Sequence, residues 1–284
     1  MATAVRLLQV PYDSGVRDAR MGAGPTALAR AGAAGRLRAR GHAVREQVLH
    51  PAPGWQAELR TAFELQRAVA GAAAEAHAGG ELPLLLSGNC NPTVGMLAAL
   101  GGPRTGLVWL DAHGDLNTPG GDAGGFLDGH GLAMAVGWCW RAATATVPGF
   151  VPLPEEHVVL AGARDLDPPE LEALPRSAIR WLPPAEARDP AATAVALDEL
   201  AARVDVVHLH VDLDVHDPSI APANGYAAPD GLTAGEVQRI ARSVAVRVRL
   251  GSATLAAYDP SYDPAGRMRG TALDLLEVLA EVAG

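Results

Sequence analysis

Short apolar runs alternate along this chain with longer stretches of helical composition. Residues 4–10, 43–49, 82–86, 108–110, 157–161, 179–182, 206–211 and 253–258 read as strands. Several are unbroken apolar runs, as expected of strands buried on both faces of a parallel sheet. A helix is predicted from Pro25 to about Arg40, with Pro25 in its first turn and Gly41 as its stop. Further helices are expected over 55–78, 93–100, 131–140, 191–203 and 271–283. Another opens at Thr233, where Glu236 three residues on completes a capping-box signature. Alternation of this kind predicts an α/β fold with a mostly parallel sheet and helices on both faces. The loops at 50–54 and 120–129 read as connections; the second is Gly-rich but lacks phosphate-loop spacing. No repeat or linker divides the chain, so residues 1–284 read as one domain.

Two of the strands end in ligand-type side chains. Residues 107–117 read Leu-Val-Trp-Leu-Asp-Ala-His-Gly-Asp-Leu-Asn, an apolar run followed by alternating Asp111, His113 and Asp115. Alternate side chains of an extended segment point the same way. These three therefore converge past a strand's C-terminal end, where open α/β sheets bind their ligands. Carboxylates with an imidazole suit Mn²⁺ or a similar ion; taken alone, the motif is also compatible with a charged loop. Residues 206–218 repeat the device, with Asp212 and Asp214 closing an apolar strand. Uncompensated carboxylates at the ends of two apolar strands would repel one another, and a divalent cation between them relieves that cost. A two-metal site is the leading reading, and a structural charge network the alternative.

Composition narrows the field. Of 284 residues, 49% are hydrophobic and 19% charged, an ordinary globular balance. The net charge of −9 argues against a nucleic-acid partner. All 23 basic residues are arginine, so Schiff-base and phosphate-loop lysine chemistry is excluded. Two cysteines, Cys90 and Cys139, make no disulfide framework, and a reducing cytoplasm is the expected home. No signal peptide and no membrane-spanning run is expected.

The motifs in order resemble the arginase, agmatinase and formiminoglutamase superfamily, the ureohydrolases. The likeness covers most of the chain, starting from Pro11 and Gly22-Ala23-Gly24-Pro25. It is most specific at Asp111-Ala112-His113-Gly114-Asp115-Leu116-Asn117 and at Asp212-Leu213-Asp214 with Asp217-Pro218 beyond. The resemblance implies a three-layer α/β/α sandwich and two Mn²⁺ per chain. Asp111 and Asp212 would bridge both ions, His113 and Asp214 would complete one, and Asp115 would serve the other. Cys90 stands where the family has a further ligand histidine. As a ligand it would favour Zn²⁺, Fe²⁺ or Co²⁺ over Mn²⁺; the plainer reading is a buried, inert thiol. Cys139 reads as core. His130, before Gly131, matches a proton-shuttling histidine, or is a helix-start residue with a local bond. His208 and His210 are expected as satisfied core or supporting histidines, and His216 as an exposed loop residue.

The resemblance also implies the reaction. Metal-bound hydroxide would attack a guanidino carbon, with Asp115 and His130 as the proton-handling residues. Asp167, supported by Glu170, matches a segment that binds a substrate α-amino group, although a capped acidic turn fits as well. Asp128 and Tyr226 replace family residues around the substrate. Ala257 occupies the place of a guanidinium-gripping glutamate, with Asp259 as a candidate substitute. The loss of that glutamate and the cysteine together look like the branch that cleaves Nω-hydroxy-L-arginine to hydroxyurea and ornithine. The expected substrate is thus a guanidino or hydroxyguanidino amino acid. A formiminoglutamase, another ureohydrolase, or a non-catalytic binder of metal or ligand are the alternatives. Family members are often trimers or hexamers, so a homo-oligomer is among the expectations.

Overall fold

In the computed structural model, which describes residues 2–52, 57–121 and 124–283, eight strands form one sheet, and a short hairpin of residues 12–13 and 16–17 pairs separately. The strands of the sheet are β1 (Ala4–Val10), β2 (Ala43–Val48), β3 (Leu82–Ser87), β4 (Thr105–Leu110), β5 (Val158–Ala161), β6 (Arg180–Leu182), β7 (Val206–Asp212) and β8 (Arg249–Ala256). Their spatial order is β2-β1-β3-β8-β7-β4-β5-β6, and every pairing among them is parallel.

Burial on both faces explains the apolar runs. Along β1, Val5 and Leu7 face one layer of the core while Leu8 and Val10 face the other. One layer is built by α1 (Ala23–Arg30), α2 (Ala33–Ala39) and three helices of the C-terminal half, Pro190–Ala201, Ala234–Ala245 and Arg267–Val282. The opposite layer is built by α3 (Glu58–Ala78), α4 (Thr93–Leu100) and α5 (Gly131–Ala135). The result is the three-layer α/β/α sandwich. Among the described residues no helix is long and apolar enough to cross a membrane.

The order of strands places the site. After β3 the chain skips two positions to lay down β4, and β7 and β8 later fill the gap. The C-terminal ends of β3, β8, β7 and β4 are therefore adjacent, although they lie far apart in sequence.

Local differences from expectation have local causes. The predicted helix from Pro25 to Arg40 is two helices, because Gly32 turns left-handed at φ 92°. The predicted helix over 131–140 stops at Ala135, with Gly137 at φ 75° and Trp140 at φ 52° redirecting the chain. The start of the predicted 55–78 helix and parts of the 50–54 and 120–129 loops lie outside the described residues. The capping box at Thr233 forms as expected, with Glu236 and Thr233 bonding each other's backbone N–H.

Candidate metal centre and cavity

Three strand ends deliver the candidate ligands. Beyond β3 a tight turn presents Cys90; β4 presents Asp111, then His113 and Asp115; β7 presents Asp212 and Asp214. Gly88 makes the first turn possible: a Cβ there would lie 2.3 Å from the Tyr12 carbonyl oxygen and 2.7 Å from Gly22 Cα.

Asp111, His113 and Asp214 converge, but not through strand alternation: β4 ends at Leu110 and β7 at Asp212, Leu213–Val215 is a 3₁₀ turn, and Asp115 has a left-handed backbone. His113 Nδ1 lies 3.4 Å from both Asp111 Oδ1 and Asp214 Oδ2, and donor atoms of the three fall within 4.8 Å of one another. Cys90 Sγ donates to Asp212 Oδ2 at 3.0 Å. Backbone N–H groups hold the carboxylates in place: His113 N donates to Asp111 Oδ1 at 2.8 Å, Ala112 N to Asp214 Oδ1 at 3.1 Å, and Asp214 N to Asp212 Oδ1 at 2.8 Å. Trp109 Nε1 donates to Asp111 Oδ2 at 2.9 Å. Asp115 adopts a left-handed backbone at φ 51°, and its Oδ2 is buried with no hydrogen-bond partner.

This donor set fits divalent cations. Burial, reinforced by neighbouring carboxylates, pushes the acids of Asp111, Asp115 and Asp212 and the thiol of Cys90 upward. For His113 burial works the other way, but Asp214 and Asp111 overcome it and hold the imidazole far above its ordinary range. One imidazolium is insufficient charge for this many buried acids, and an oxygen such as Asp115 Oδ2 is aimed at nothing in the protein.

A cavity of about 290 Å³ opens beside the ligands, lined by Cys90, His113, Asp115, Asp212 and Asp214 at its floor. Ala257 forms part of its wall, and Asp165, Asp167, Phe126 and Tyr226 also line it. The Phe126 and Tyr226 rings stack at 5.5 Å, and Tyr226 is 53% exposed. Asp167 Oδ2 accepts from Asn117 Nδ2 at 2.6 Å.

Other predicted site residues are placed less simply. Glu170 lines the cavity, but its two oxygens accept from Leu116 N and Asp167 N at 2.8 and 2.9 Å, so it braces the loop that carries Asp167. Asp128 lines the cavity and is committed to the Cys90 turn. Its Oδ1 accepts from Cys90 N at 2.7 Å and Asn91 N at 3.0 Å, and its Oδ2 from Asn89 Nδ2 at 2.8 Å. Its acid is pushed up to about 7 by burial, against the pull of those bonds. His130 is buried and is not among the residues lining the cavity, and its Nδ1 accepts from Trp140 Nε1 at 3.0 Å. That bond places the proton of the neutral ring on Nε2.

Asp259 does not take the place of the missing glutamate. Its carboxylate caps the 260–262 turn through Ser261 N at 2.9 Å, and it is not among the residues lining the cavity. Ala257, held at φ 61°, presents only a methyl group to the cavity. His216 is not the exposed residue expected: it is 1% exposed, with Nδ1 bonded to the Leu213 carbonyl at 2.9 Å. Cys139 is core, as read. His208 is satisfied on both ring nitrogens, by Ser252 at 2.7 Å and Thr254 at 3.0 Å. His210 is satisfied on one only, and its Nε2 has no hydrogen-bond partner.

Sequence reasoning missed two residues that hold the site. Asn224 Nδ2 donates to Asp214 Oδ2 at 3.2 Å and to the Ala257 carbonyl at 2.9 Å, joining the ends of β7 and β8. The only sequence signal was the Asn-Gly turn dipeptide at 224–225. Arg164 reaches from the end of β5 to the carbonyls of Asp214 and Ala228, both at 2.8–2.9 Å, and carried no sequence signal.

Comparison with known proteins agrees with this geometry. The model of the Arginase family matches residues 3–283. The chain is 32% identical over 207 residues to the N(omega)-hydroxy-L-arginine amidinohydrolase of Streptomyces lavendulae, covering 72% of this chain and 71% of that protein. It is 30% identical over 290 residues to the arginase of Bacillus caldovelox, covering 96% of each. The solved structure of that arginase superimposes with a TM-score of 0.87 at 28% identity, over 98% of each chain. An agmatine ureohydrolase from Thermoplasma volcanium shares the fold, with a TM-score of 0.74 at 20% identity.

Proposed function

The chain belongs to the arginase family and is a hydrolase of carbon–nitrogen bonds in guanidino compounds; from that premise we propose that its substrate is an amino acid with an uncharged hydroxyguanidino group, Nω-hydroxy-L-arginine in the first instance. The observation that carries this reading is Ala257. A cationic guanidinium in a buried cleft needs a carboxylate partner to offset its desolvation. Here the wall offers a methyl group at Ala257, and Asp259, two residues on, caps a turn and does not line the cavity. Hydroxylation lowers guanidine basicity, so a neutral hydroxyguanidine binds without that partner. The likeness to the Streptomyces lavendulae enzyme supports the same reading.

Cys90, Asp111, Asp115 and Asp212 would hold one ion, and His113 and Asp214 the other, with Asp111 and Asp212 shared. When bound, such a pair lowers the pKa of water to near neutrality and polarises the carbon under attack. The protein's own groups do the rest. The unpartnered Asp115 Oδ2 is the acceptor for the proton of the attacking water. As the water oxygen bonds to the guanidino carbon, the bond to the side-chain nitrogen breaks. His130, with its proton on Nε2, supplies the leaving nitrogen with that proton. Asp167 at the cavity lining, braced by Glu170, receives the α-amino group. The stacked Phe126 and Tyr226 cover the aliphatic chain. The products are hydroxyurea and ornithine.

The test is product release from Nω-hydroxy-L-arginine and L-arginine in parallel. Hydroxyurea from the first with little urea from the second is expected. Ala257→Glu should shift the preference toward L-arginine. An enzyme that cleaves L-arginine equally well before substitution overturns the reading.

A further inference from the structure

We propose that His210 is a metal ligand, its Nε2 binding the same ion as Cys90 Sγ. The inference rests on the two-metal reading above and extends it to a residue outside the ligand set implied by the family resemblance. His210 lies one alternation below Asp212 on β7 and is fully buried. Donor atoms of Cys90, Asp111 and His210 all fall within 4.8 Å of one another. The His210 Nε2 is buried with no hydrogen-bond partner, a costly arrangement for a core imidazole.

The ring is fixed for this task. Trp109 stacks on it at 3.7 Å and 21°, while its indole N–H holds Asp111. His210 Nδ1 lies 2.8 Å from Thr93 Oγ1. The Thr93 hydroxyl donates onward to Thr254 Oγ1 at 3.4 Å, and Thr254 Oγ1 lies 3.0 Å from His208 Nε2. With the Thr93 proton directed to Thr254, Thr93 accepts from His210 Nδ1–H. The lone pair of His210 is then on Nε2, the tautomer a ligand requires. Ligating histidines characteristically donate their other ring nitrogen to an outer partner of this kind.

The consequence is a compensated exchange. Cys90 takes the place of a turn histidine, and an imidazole returns to the same ion from the strand below. Sulfur and nitrogen donors together with carboxylates select Zn²⁺ or Co²⁺ over Mn²⁺ at this position.

Histidine-¹⁵N-labelled protein loaded with ¹¹³Cd²⁺ tests this without any substitution. Cadmium–nitrogen couplings to both His113 and His210 are expected; coupling to a single imidazole in a protein that has bound both ions overturns the proposal alone. A protein that binds no divalent ion overturns the two-metal reading and this inference with it. In Co²⁺-loaded protein, His210→Ser should keep the thiolate-to-cobalt charge-transfer band and shift the ligand-field bands. Its Zn²⁺ affinity at that position should fall by about 100-fold or more, against the 10–100-fold expected for loss of an outer partner such as in Thr93→Val. Unchanged ligand-field bands in folded His210→Ser overturn the proposal.

Discussion

At the scale of single residues, the site separates groups that hold from groups that react. Asp111 and Asp214 are fixed by backbone N–H groups, so their positions are set before any ligand arrives. His130 is different: one ring nitrogen is occupied by Trp140, and the other carries the proton. His130→Ala should lower turnover by about 10²-fold or more, the range of general acid catalysis, with metal content unchanged. Full activity with intact metal content in that variant removes the proton-supplying role. Cys90→Ala should lower the occupancy of one ion and leave the other, since His113 and Asp214 do not depend on the thiol. Elemental analysis showing both ions retained at wild-type affinity counts against the thiol as ligand.

At the scale of elements, the turn after β3 is tightly constrained. It is closed by Asp128, which draws the N–H groups of Cys90 and Asn91 onto one carboxylate oxygen. It is also pressed against the 12–22 loop so closely that only glycine fits at position 88. Gly88→Ala must move that loop or the turn, and should cost about 1–3 kcal/mol of stability, the usual range for overpacking. Because Cys90 is two residues on, the same variant should bind metal more weakly. Denaturant unfolding and metal titration measure the two effects; a variant as stable as the parent would show that the loop yields freely.

At the scale of the whole molecule, the sheet brings like charges together at its centre, and stability should depend on what neutralises them. Chelation should lower the melting temperature and added divalent ion should restore it. A free ion concentration 1,000-fold above Kd is worth about 4 kcal/mol by mass action. In the chelated state Asp212→Asn should melt higher than the parent, because one repelling carboxylate is gone, and it should no longer gain from added metal. A lower melting temperature for Asp212→Asn in both states would mean that its hydrogen bonds outweigh the repulsion.

Much of this architecture is written in local pattern. The apolar runs of β3, β4 and β7 declare themselves because both faces of each are buried, and the acids and histidine that follow are marked as strand-end residues, although a 3₁₀ turn at Leu213–Val215 and a left-handed Asp115, not extended alternation, bring them together. The capping box at Thr233 is equally local. What the sequence could not contain is the meeting of segments distant along the chain. That β7 and β8 fall between β3 and β4 follows from the packing of the whole sheet, and it alone sets His210 beside Cys90. Asp128 reads as a substrate contact until the Cys90 turn is folded against it. Asp259 reads as a spare carboxylate until the 260–262 turn uses it. The sequence by itself determined which side chains stand at the strand ends, because an apolar run is a property of neighbouring residues. Only the tertiary structure decided which of them share a partner, because hydrogen bonds between loops depend on the relative placement of whole elements.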